Sequence, residues 1–253
     1  MEQTLYELMD WAGIEELTYS EAANPHAMLG PHLTDNGVLI QAMLPTAKEI
    51  AVKIGTKEYP MELADEVGFF AVLIPRKTIP TYTLKVTFDN GETEEFADPY
   101  AFKPQIAEKD LKKFEAGIHY EIYEKLGAHP MTIDGVEGVY FAVWAPCAMR
   151  VSVVGDFNLW DGRRNQMRRL GNSGVFEIFM PGLKEGCLYK FEVKCKNGDP
   201  ILKADPYGNY AELRPKTASI VWDIGKYQWN DQEWMKKRAK ENTKDKPMAI
   251  YEV

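Results

Sequence analysis

Short runs rich in Val, Ile, Phe and Tyr recur along most of the chain, and Gly, Pro, Asn or Asp separates each run from the next. Within YKFEV (189–193), apolar and polar side chains alternate, which is the period-two pattern of a strand with one buried face. DNGET (89–93) and KNGDP (196–200) predict hairpin turns, because Asn and Gly tolerate the positive φ angles that tight turns require. The pattern therefore predicts short antiparallel strands packed as β-sandwiches.

The runs follow the same order in both halves of the chain, which indicates an internal duplication. Pro45 in the first half aligns with Pro146 in the second, and Pro99 aligns with Pro206. The matched runs are VLIQAMLPTAKEIAV (38–52) with VYFAVWAPCAMRVSV (139–153), GFFAVLIP (68–75) with GVFEIFMP (174–181), YTLKV (82–86) with YKFEV (189–193), and ADPYAF (97–102) with ADPYGN (204–209). The predicted fold is all-β: two tandem immunoglobulin-like β-sandwiches of roughly 90 residues each, with short peripheral helices.

Helical patterns are confined to segments outside the sandwiches. Residues 3–16 carry apolar side chains at helical spacing and predict an amphipathic cap. Residues 108–126 predict a helical connector that Gly127 ends. Asn230 is the predicted N-cap of a last helix, and PMAIYEV (247–253) is predicted as a strand. The predicted domains are an N-terminal helical segment (1–23), a first β-sandwich (24–106), a helical connector (107–130), a second β-sandwich (131–227), and a final helix, linker and strand (228–253).

The net charge excludes several classes of partner, and the cysteine content indicates the cellular compartment. The formal net charge of -8 argues against nucleic acid and against an anionic membrane surface, because phosphate binding requires a basic field. Three cysteines are too few for a disulfide framework and favour the reducing cytoplasm. The N-terminus lacks the pattern of a signal peptide, and no run approaches the ~20 apolar residues that span a bilayer. We therefore expect a soluble cytoplasmic protein.

The two halves differ most at GDFNLWDGRR (155–164), a loop that the first half lacks. Trp160 in this loop either packs inward or forms a platform for a ligand. The flat C–H face of a glucose ring suits an indole, and burying that area stabilises a complex by ~1–2 kcal/mol. Asp156 and Asn158 are suitable acceptors for sugar hydroxyls and Lys190 is a suitable donor, although Asp and Asn also cap tight turns.

Catalytic and metal-binding patterns are weak along the chain. The four histidines have no clustered carboxylates or cysteines beside them, so we expect no metal site and no cofactor. His26, His32 and His129 lie in Pro/Gly-rich turns, where we expect them to bond to backbone groups. None of the common nucleophile, phosphate-loop or zinc motifs is present. We therefore assign no catalytic residue to the chain.

Seven motifs in chain order resemble the N-terminal part of the bacterial glycogen branching enzymes (1,4-α-glucan branching enzymes). A carbohydrate-binding module of family 48 alone is shared with debranching enzymes and glycogen-sensing kinase subunits. The tandem arrangement, with NPHAMLGPH in the first module, favours the branching enzymes over these other proteins. The motifs are NPHAMLGPH (24–32), GIHYEIYEKLGAHP (117–130), FAVWAP (141–146), GDFNLWDGRRNQM (155–167), LYKFEV (188–193), KADPYG (203–208) and RPKTASIV (214–221).

The resemblance implies a parent enzyme of glycoside hydrolase family 13 that cuts an α-1,4-glucan and transfers the fragment to a 6-hydroxyl, a retaining double displacement. The family's catalytic carboxylates belong to a (β/α)8 barrel whose first strand PMAIYEV resembles, so they lie beyond Val253 and this chain alone is expected to be inactive. The expected partners are α-1,4-glucan, such as glycogen or maltooligosaccharides, and the catalytic barrel of the parent chain. The alternatives are a stand-alone glycogen- or starch-binding or scaffolding protein and the front of a debranching enzyme.

The resemblance also implies which residues contact the sugar. In family 48 modules, glucan contacts are associated with the Trp of the GDFNxW loop and the Lys of the YKF strand, which match Trp160 and Lys190. Glycogen-sensing members have a second Trp shortly after the Asn-Gly turn, but NGDPILKADP (197–206) contains none. One of two aromatic platforms is therefore missing at this position, and weak binding is expected.

Overall fold

The computed structural model describes residues 3–196, 198–241 and 245–253, and most of its regular structure is β-strand. The α-helices are α1 (Gln3–Leu8), α2 (Trp11–Thr18), α3 (Glu108–Glu115) and α4 (Gln232–Lys240). The first module contains β1 (Gly30–Thr34), β2 (Gly37–Met43), β3 (Ala47–Ile54), β4 (Lys57–Pro60), β5 (Glu62–Asp65), β6 (Phe69–Ile74), β7 (Thr83–Phe88) and β8 (Thr93–Phe96). The second contains β9 (Gly127–Ile133), β10 (Val136–Trp144), β11 (Ala148–Val154), β12 (Arg168–Arg169), β13 (Val175–Pro181), β14 (Leu188–Cys195), β15 (Ile201–Lys203), β16 (Tyr210–Ala211) and β17 (Ser219–Ile220).

Each module is a pair of antiparallel sheets, which confirms the predicted all-β class. In the first module the strand orders are β1-β2-β6-β5 and β4-β3-β7-β8. In the second they are β12-β13-β10-β9 and β11-β14-β17-β16, with β15 paired to β14. Strands β9, β10, β11, β13 and β14 therefore occupy the places of β1, β2, β3, β6 and β7, as the sequence repeat predicts.

The repeat extends to single hydrogen bonds at the bends. The Leu44 N–H donates to the Gly68 carbonyl at 2.9 Å, and the Ala145 N–H donates to the Gly174 carbonyl at 2.8 Å. Both glycines have positive φ, and a Cβ on either would overlap the backbone of the aligned proline, Pro45 or Pro146. The duplicated proline and glycine positions thus mark the same close approach of two chain segments in both modules.

The predicted insertion is also confirmed. In the first module, β3 and β4 are joined by a two-residue turn that begins at Gly55. In the second module the loop 155–164 follows β11. The chain then returns beside β11, where Gln166 forms an isolated antiparallel β-bridge with Ser152. The bond from the Met167 N–H to the Val151 carbonyl repeats the bond from Met61 to Ile50, so only the connection between these points has lengthened.

The two modules are parts of one compact unit, residues 1–222, and residues 223–253 form a second unit. Strand β2 is buried on both faces, so that Ile40 belongs to the core of the first sandwich and Leu39 to a cluster shared with the second. The Tyr100 hydroxyl also joins the two modules, because it donates a hydrogen bond to the Arg164 carbonyl and accepts one from the Gln166 N–H. The sandwiches are therefore distinct in topology but share buried surface.

The turn predictions are confirmed where the structure describes them. DNGET joins β7 to β8 as a hairpin, and β14 pairs with β15 as expected. Within KNGDP, Asn197 lies outside the described residues. The alternation in YKFEV is confirmed, since Tyr189 and Phe191 are buried while Lys190 and Glu192 are partly exposed.

Several helix predictions were wrong in detail. The pattern over 3–16 is two helices, because Asp10 caps α2 by accepting a hydrogen bond from the Gly13 N–H and so starts a new helix. The connector is helical only at α3 and in a short 3-10 turn at Ile122–Glu124, and β9 already begins at Gly127. The N-cap of α4 is Asp231 instead of Asn230.

The expected strand at PMAIYEV is absent: residues 247–253 have no regular secondary structure and are exposed. A strand needs a neighbouring edge for its backbone hydrogen bonds, and among the described residues none pairs with this run. Over the same described residues, no helix is both long and apolar enough to cross a membrane.

Candidate functional site

The loop 155–164 is shaped by an internal network centred on Asn158. Its amide nitrogen donates to the Val153 carbonyl at 2.9 Å and to Asn165 Oδ1 at 2.8 Å, while its Oδ1 accepts from the Gly155 N–H. The side chain is 1% exposed. The expectation that Asn158 contacts glucan therefore fails on geometry, since its polar atoms are buried and already paired. Asn158 instead holds the loop that presents its neighbours.

Trp160 is half-buried and its indole is oriented by Asp156. The indole N–H donates to Asp156 Oδ1 at 2.8 Å, and the Asp156 side chain is exposed. Leu159 and Trp160 both have φ near +59°, a left-handed conformation that costs a non-glycine residue roughly 1–2 kcal/mol. The loop pays this cost while keeping Trp160 partly accessible, so Trp160 is neither a core residue nor a freely rotating side chain.

A surface cavity of about 460 Å³ lies beside Trp160, within the range of small-ligand pockets. The loop forms one wall through Trp160 and Arg163. The opposite walls come from β14, through Glu192 and Lys194, and from the end of α2, through Tyr19. These walls thus belong to segments far apart in sequence.

A buried arginine fixes the loop to the sheet beneath it. Arg150 is 1% exposed; it donates to the Gly162 carbonyl at 2.9 Å and to Glu192 Oε1 at 2.6 Å. Ser152 also hydrogen-bonds the same carbonyl. The Glu192 carboxylate lies directly over Gly162, so a larger residue at that position would displace the carboxylate from Arg150. This floor makes the cavity rigid on the loop side.

Polar groups at the cavity rim are largely paired to one another. Arg163 Nη2 and Asp161 Oδ2 form an ion pair at 2.7 Å. Burial tends to raise the pKa of Asp161, but the hydrogen bonds from Arg163 outweigh it and hold that pKa below its usual value. Asp161 is therefore charged at neutral pH and remains an acceptor for a hydroxyl group.

Lys190 does not line the Trp160 cavity, although both were expected at one site. Its ammonium group donates to Thr217 Oγ1 at 2.7 Å. Lys190 lies two residues before Glu192 on the same face of β14, which is about 7 Å along a strand. A glucan chain that leaves the cavity along β14 would run toward Lys190.

Four residues that line the cavity are not among the candidates that the sequence predicts: Tyr19, Arg150, Glu192 and Lys194. The alternation along β14 could have identified Glu192 and Lys194, because they share a face with Lys190. Tyr19 gives no such signal, since its place at the cavity depends on the packing of the N-terminal segment against β14.

Three histidines, His26, His32 and His129, are partly buried, and their contacts indicate structural roles. The ring Nε2 of His32 is 3.2 Å from the Leu29 carbonyl, and that of His129 is 3.0 Å from the Leu126 carbonyl, which confirms the predicted backbone bonds. The same prediction for His26 was wrong, because both of its ring nitrogens are buried without a hydrogen-bond partner. Burial and the charge of Arg168 lower the pKa of His26 to about 2, so it stays neutral. Among the described residues, no group of three or more His, Cys, Asp and Glu could hold a metal ion.

Two family models match the chain in tandem. Residues 10–100 match the alpha-1,4-glucan branching enzyme GlgB N-terminal domain, and residues 125–208 match carbohydrate-binding module 48, the isoamylase N-terminal domain. The chain belongs to the GlgB family. The cavity beside Trp160 lies on the second of the two matched modules, except for its wall from α2.

Curated relatives agree with this assignment. The 1,4-alpha-glucan branching enzyme GlgB of Thermosynechococcus vestitus is 45% identical over 95% of this chain and 32% of its own length. That of Rubrobacter xylanophilus is 46% identical over 95% of this chain and 33% of its own. The chain therefore spans about a third of the length of the curated relatives it matches. Among solved structures, a putative alpha amylase from Salmonella typhimurium aligns with 43% of this chain and 16% of its own at 25% identity, with a TM-score of 0.34.

Proposed function

We propose that this chain is the non-catalytic N-terminal region of a 1,4-α-glucan branching enzyme and that it holds α-1,4-glucan at the cavity beside Trp160. The observation that carries the proposal is the fixed, half-exposed indole: Asp156 orients its N–H, and Arg150 anchors the loop below it. The tandem order of the two matched modules supports the parent enzyme.

The chemistry of the cavity suits a neutral sugar chain. An indole offers apolar area for the C–H face of a glucose ring, while Asp161, Glu192 and Lys194 offer acceptors and donors for hydroxyl groups. Asp156 is a further proposed contact for glucan hydroxyl groups, since its exposed carboxylate has a second oxygen beyond the one that orients Trp160. Lys190 is a proposed contact for a longer glucan chain that follows β14.

In the parent enzyme, such a site would keep long chains near the catalytic barrel, and the same region would dock on that barrel. The three cysteines are all free thiols, which supports a reducing cytoplasmic location. The alternatives, a stand-alone glycogen-binding or scaffolding protein and the front of a debranching enzyme, receive less support, because the curated relatives described above are all named branching enzymes of about three times this length.

Calorimetric titration with maltoheptaose tests the glucan site. We expect Trp160→Ala to lower the affinity about tenfold, which corresponds to 1.4 kcal/mol. Leu159→Ala is the matched control, because Leu159 lies on the same loop with the same positive φ and is 72% exposed. Equal affinities for the two variants would remove Trp160 from the site.

A branching assay tests the absence of catalysis. Incubated with amylose, the purified chain is expected to leave the iodine colour unchanged. A loss of colour in proportion to the protein concentration would contradict the assignment of this chain as non-catalytic.

A further inference from the structure

Helix α2 ends in a defined turn that fixes the position of Tyr19. The Glu21 N–H donates to the Glu16 carbonyl and the Ser20 N–H to the Leu17 carbonyl, which is the bond pattern of a Schellman motif. Ser20 adopts the left-handed conformation of that motif, with φ of 58°. Tyr19 is therefore the C-cap residue of a closed helix end, and its backbone is held in one conformation.

The helix end is also tied to the second module. Lys194 on β14 donates to the Tyr19 carbonyl at 3.0 Å and to Glu21 Oε1 at 3.3 Å. The Lys194 side chain is only 20% exposed, so these bonds lie partly sheltered from solvent. Tyr19 is thus carried to the same cavity that Trp160 lines, although 141 residues separate the two in the chain.

The Tyr19 side chain has the exposure expected of a ligand contact. The residue is 67% exposed, and no aromatic ring among the described residues stacks against it. Its backbone is anchored while its ring remains accessible at the cavity rim. Ring burial against a ligand would therefore cost little additional backbone ordering.

We propose that Tyr19 is the second sugar-stacking platform of the glucan site, supplied by the N-terminal helical segment rather than by the carbohydrate-binding module. This inference rests on the function proposed above. In the second module, Gly198, Asp199 and Pro200 line the cavity wall between β14 and β15, and none of them is aromatic. Tyr19 supplies an aromatic ring to a cavity in which these three residues provide none.

Two platforms on separate elements predict a dependence on ligand length. We expect a short oligosaccharide to cover one ring, so that its affinity depends on Trp160 alone. A longer chain engages both rings, and the second contact is then intramolecular and strengthens binding without a new encounter. The N-terminal helical segment therefore contributes to glucan binding only for long chains.

The experiment compares maltotriose and maltoheptaose by calorimetry on the full chain and four variants. Tyr19→Ala removes the ring, Tyr19→Phe keeps it, and Trp160→Ala removes the first platform. Tyr120→Ala is the matched control, because Tyr120 is 85% exposed and does not line this cavity. Thermal unfolding of each variant verifies that it is folded.

We expect Tyr19→Ala to weaken maltoheptaose binding at least fivefold and to leave maltotriose binding within twofold, while Tyr19→Phe matches the unaltered chain. Maltoheptaose affinity that falls in Trp160→Ala but not in Tyr19→Ala would overturn the second platform and leave the proposed function standing. Equal losses in Tyr19→Phe and Tyr19→Ala would overturn stacking by the ring. No binding of either sugar by the unaltered chain would overturn both proposals.

Discussion

The Tyr189 hydroxyl donates a 2.6 Å hydrogen bond to Asp205 Oδ2, sixteen residues later in the chain. Tyr82 and Asp98 form the same bond at the same distance and separation in the first module. In each case the other carboxylate oxygen accepts from a backbone N–H two residues on, that of Tyr207 or Tyr100. This buried pair ties the last matched motif, ADPY, to the start of the matched run YTLKV in the first module and YKFEV in the second.

Removing the hydroxyl should destabilise each module. We expect Tyr189→Phe to lower the free energy of unfolding by about 1–3 kcal/mol, because Asp205 is left buried with one oxygen unpaired. Tyr82→Phe should have a similar effect through Asp98. Urea unfolding measures both, with Tyr120→Phe as the exposed control. A change below 0.5 kcal/mol, on the order of a neutral surface substitution, would show that the bonds do not support the fold.

The Asp98 carboxyl should give the first module a specific pH dependence. Burial raises its pKa from 3.8 to about 6, although hydrogen bonds from Tyr82 and the Tyr100 N–H act in the opposite direction. Between these two values the folded state binds more protons than the unfolded state. The contribution of Asp98 to the free energy of unfolding therefore falls as the pH rises from about 4 to about 6 and is level above that range.

Urea unfolding at several pH values measures this effect against Asp98→Asn, which cannot titrate. The stability of the unaltered chain minus that of the variant should decrease as pH rises through this window. A difference that stays constant, or that increases with pH, would contradict the raised pKa of Asp98.

Asp156 should act on glucan binding through the orientation of Trp160. We expect Asp156→Ala to weaken maltoheptaose binding severalfold, since the indole N–H loses its partner and the ring gains freedom. Asp156→Asn keeps an oxygen acceptor at the same place and should retain most of the affinity. Calorimetry on the two variants distinguishes orientation from charge, because equal losses in both would assign the effect to the carboxylate charge.

The sequence predicts the duplicated strands and the inserted loop because both depend on local signals. Alternation identifies β14, and the aligned Pro45 and Pro146 mark the same bend in each module. Where prediction failed, a competing local interaction usually decided the outcome. Asp10 is a readable N-cap that divides the first helix, and Asn158 uses its amide to close the loop instead of facing solvent.

The composition of the cavity could not be predicted from the sequence. Arg150 lies in a strand of mostly apolar residues, and nothing local indicates that it anchors Gly162. Tyr19 reaches the cavity only because Lys194 binds the end of α2. The first contact lies within the second module and the second joins β14 to the N-terminal helical segment, so both follow from tertiary packing and not from a local sequence pattern.

The most direct measurement is nuclear magnetic resonance of the six tryptophan indole N–H groups during a titration with maltoheptaose. The Trp160 resonance, assigned by its loss in Trp160→Phe, should shift progressively and saturate with the ligand, while that of Trp144, which is bonded to the Ser173 carbonyl, should stay in place. Saturable shifts at other tryptophans with Trp160 unmoved would contradict a glucan site on the inserted loop.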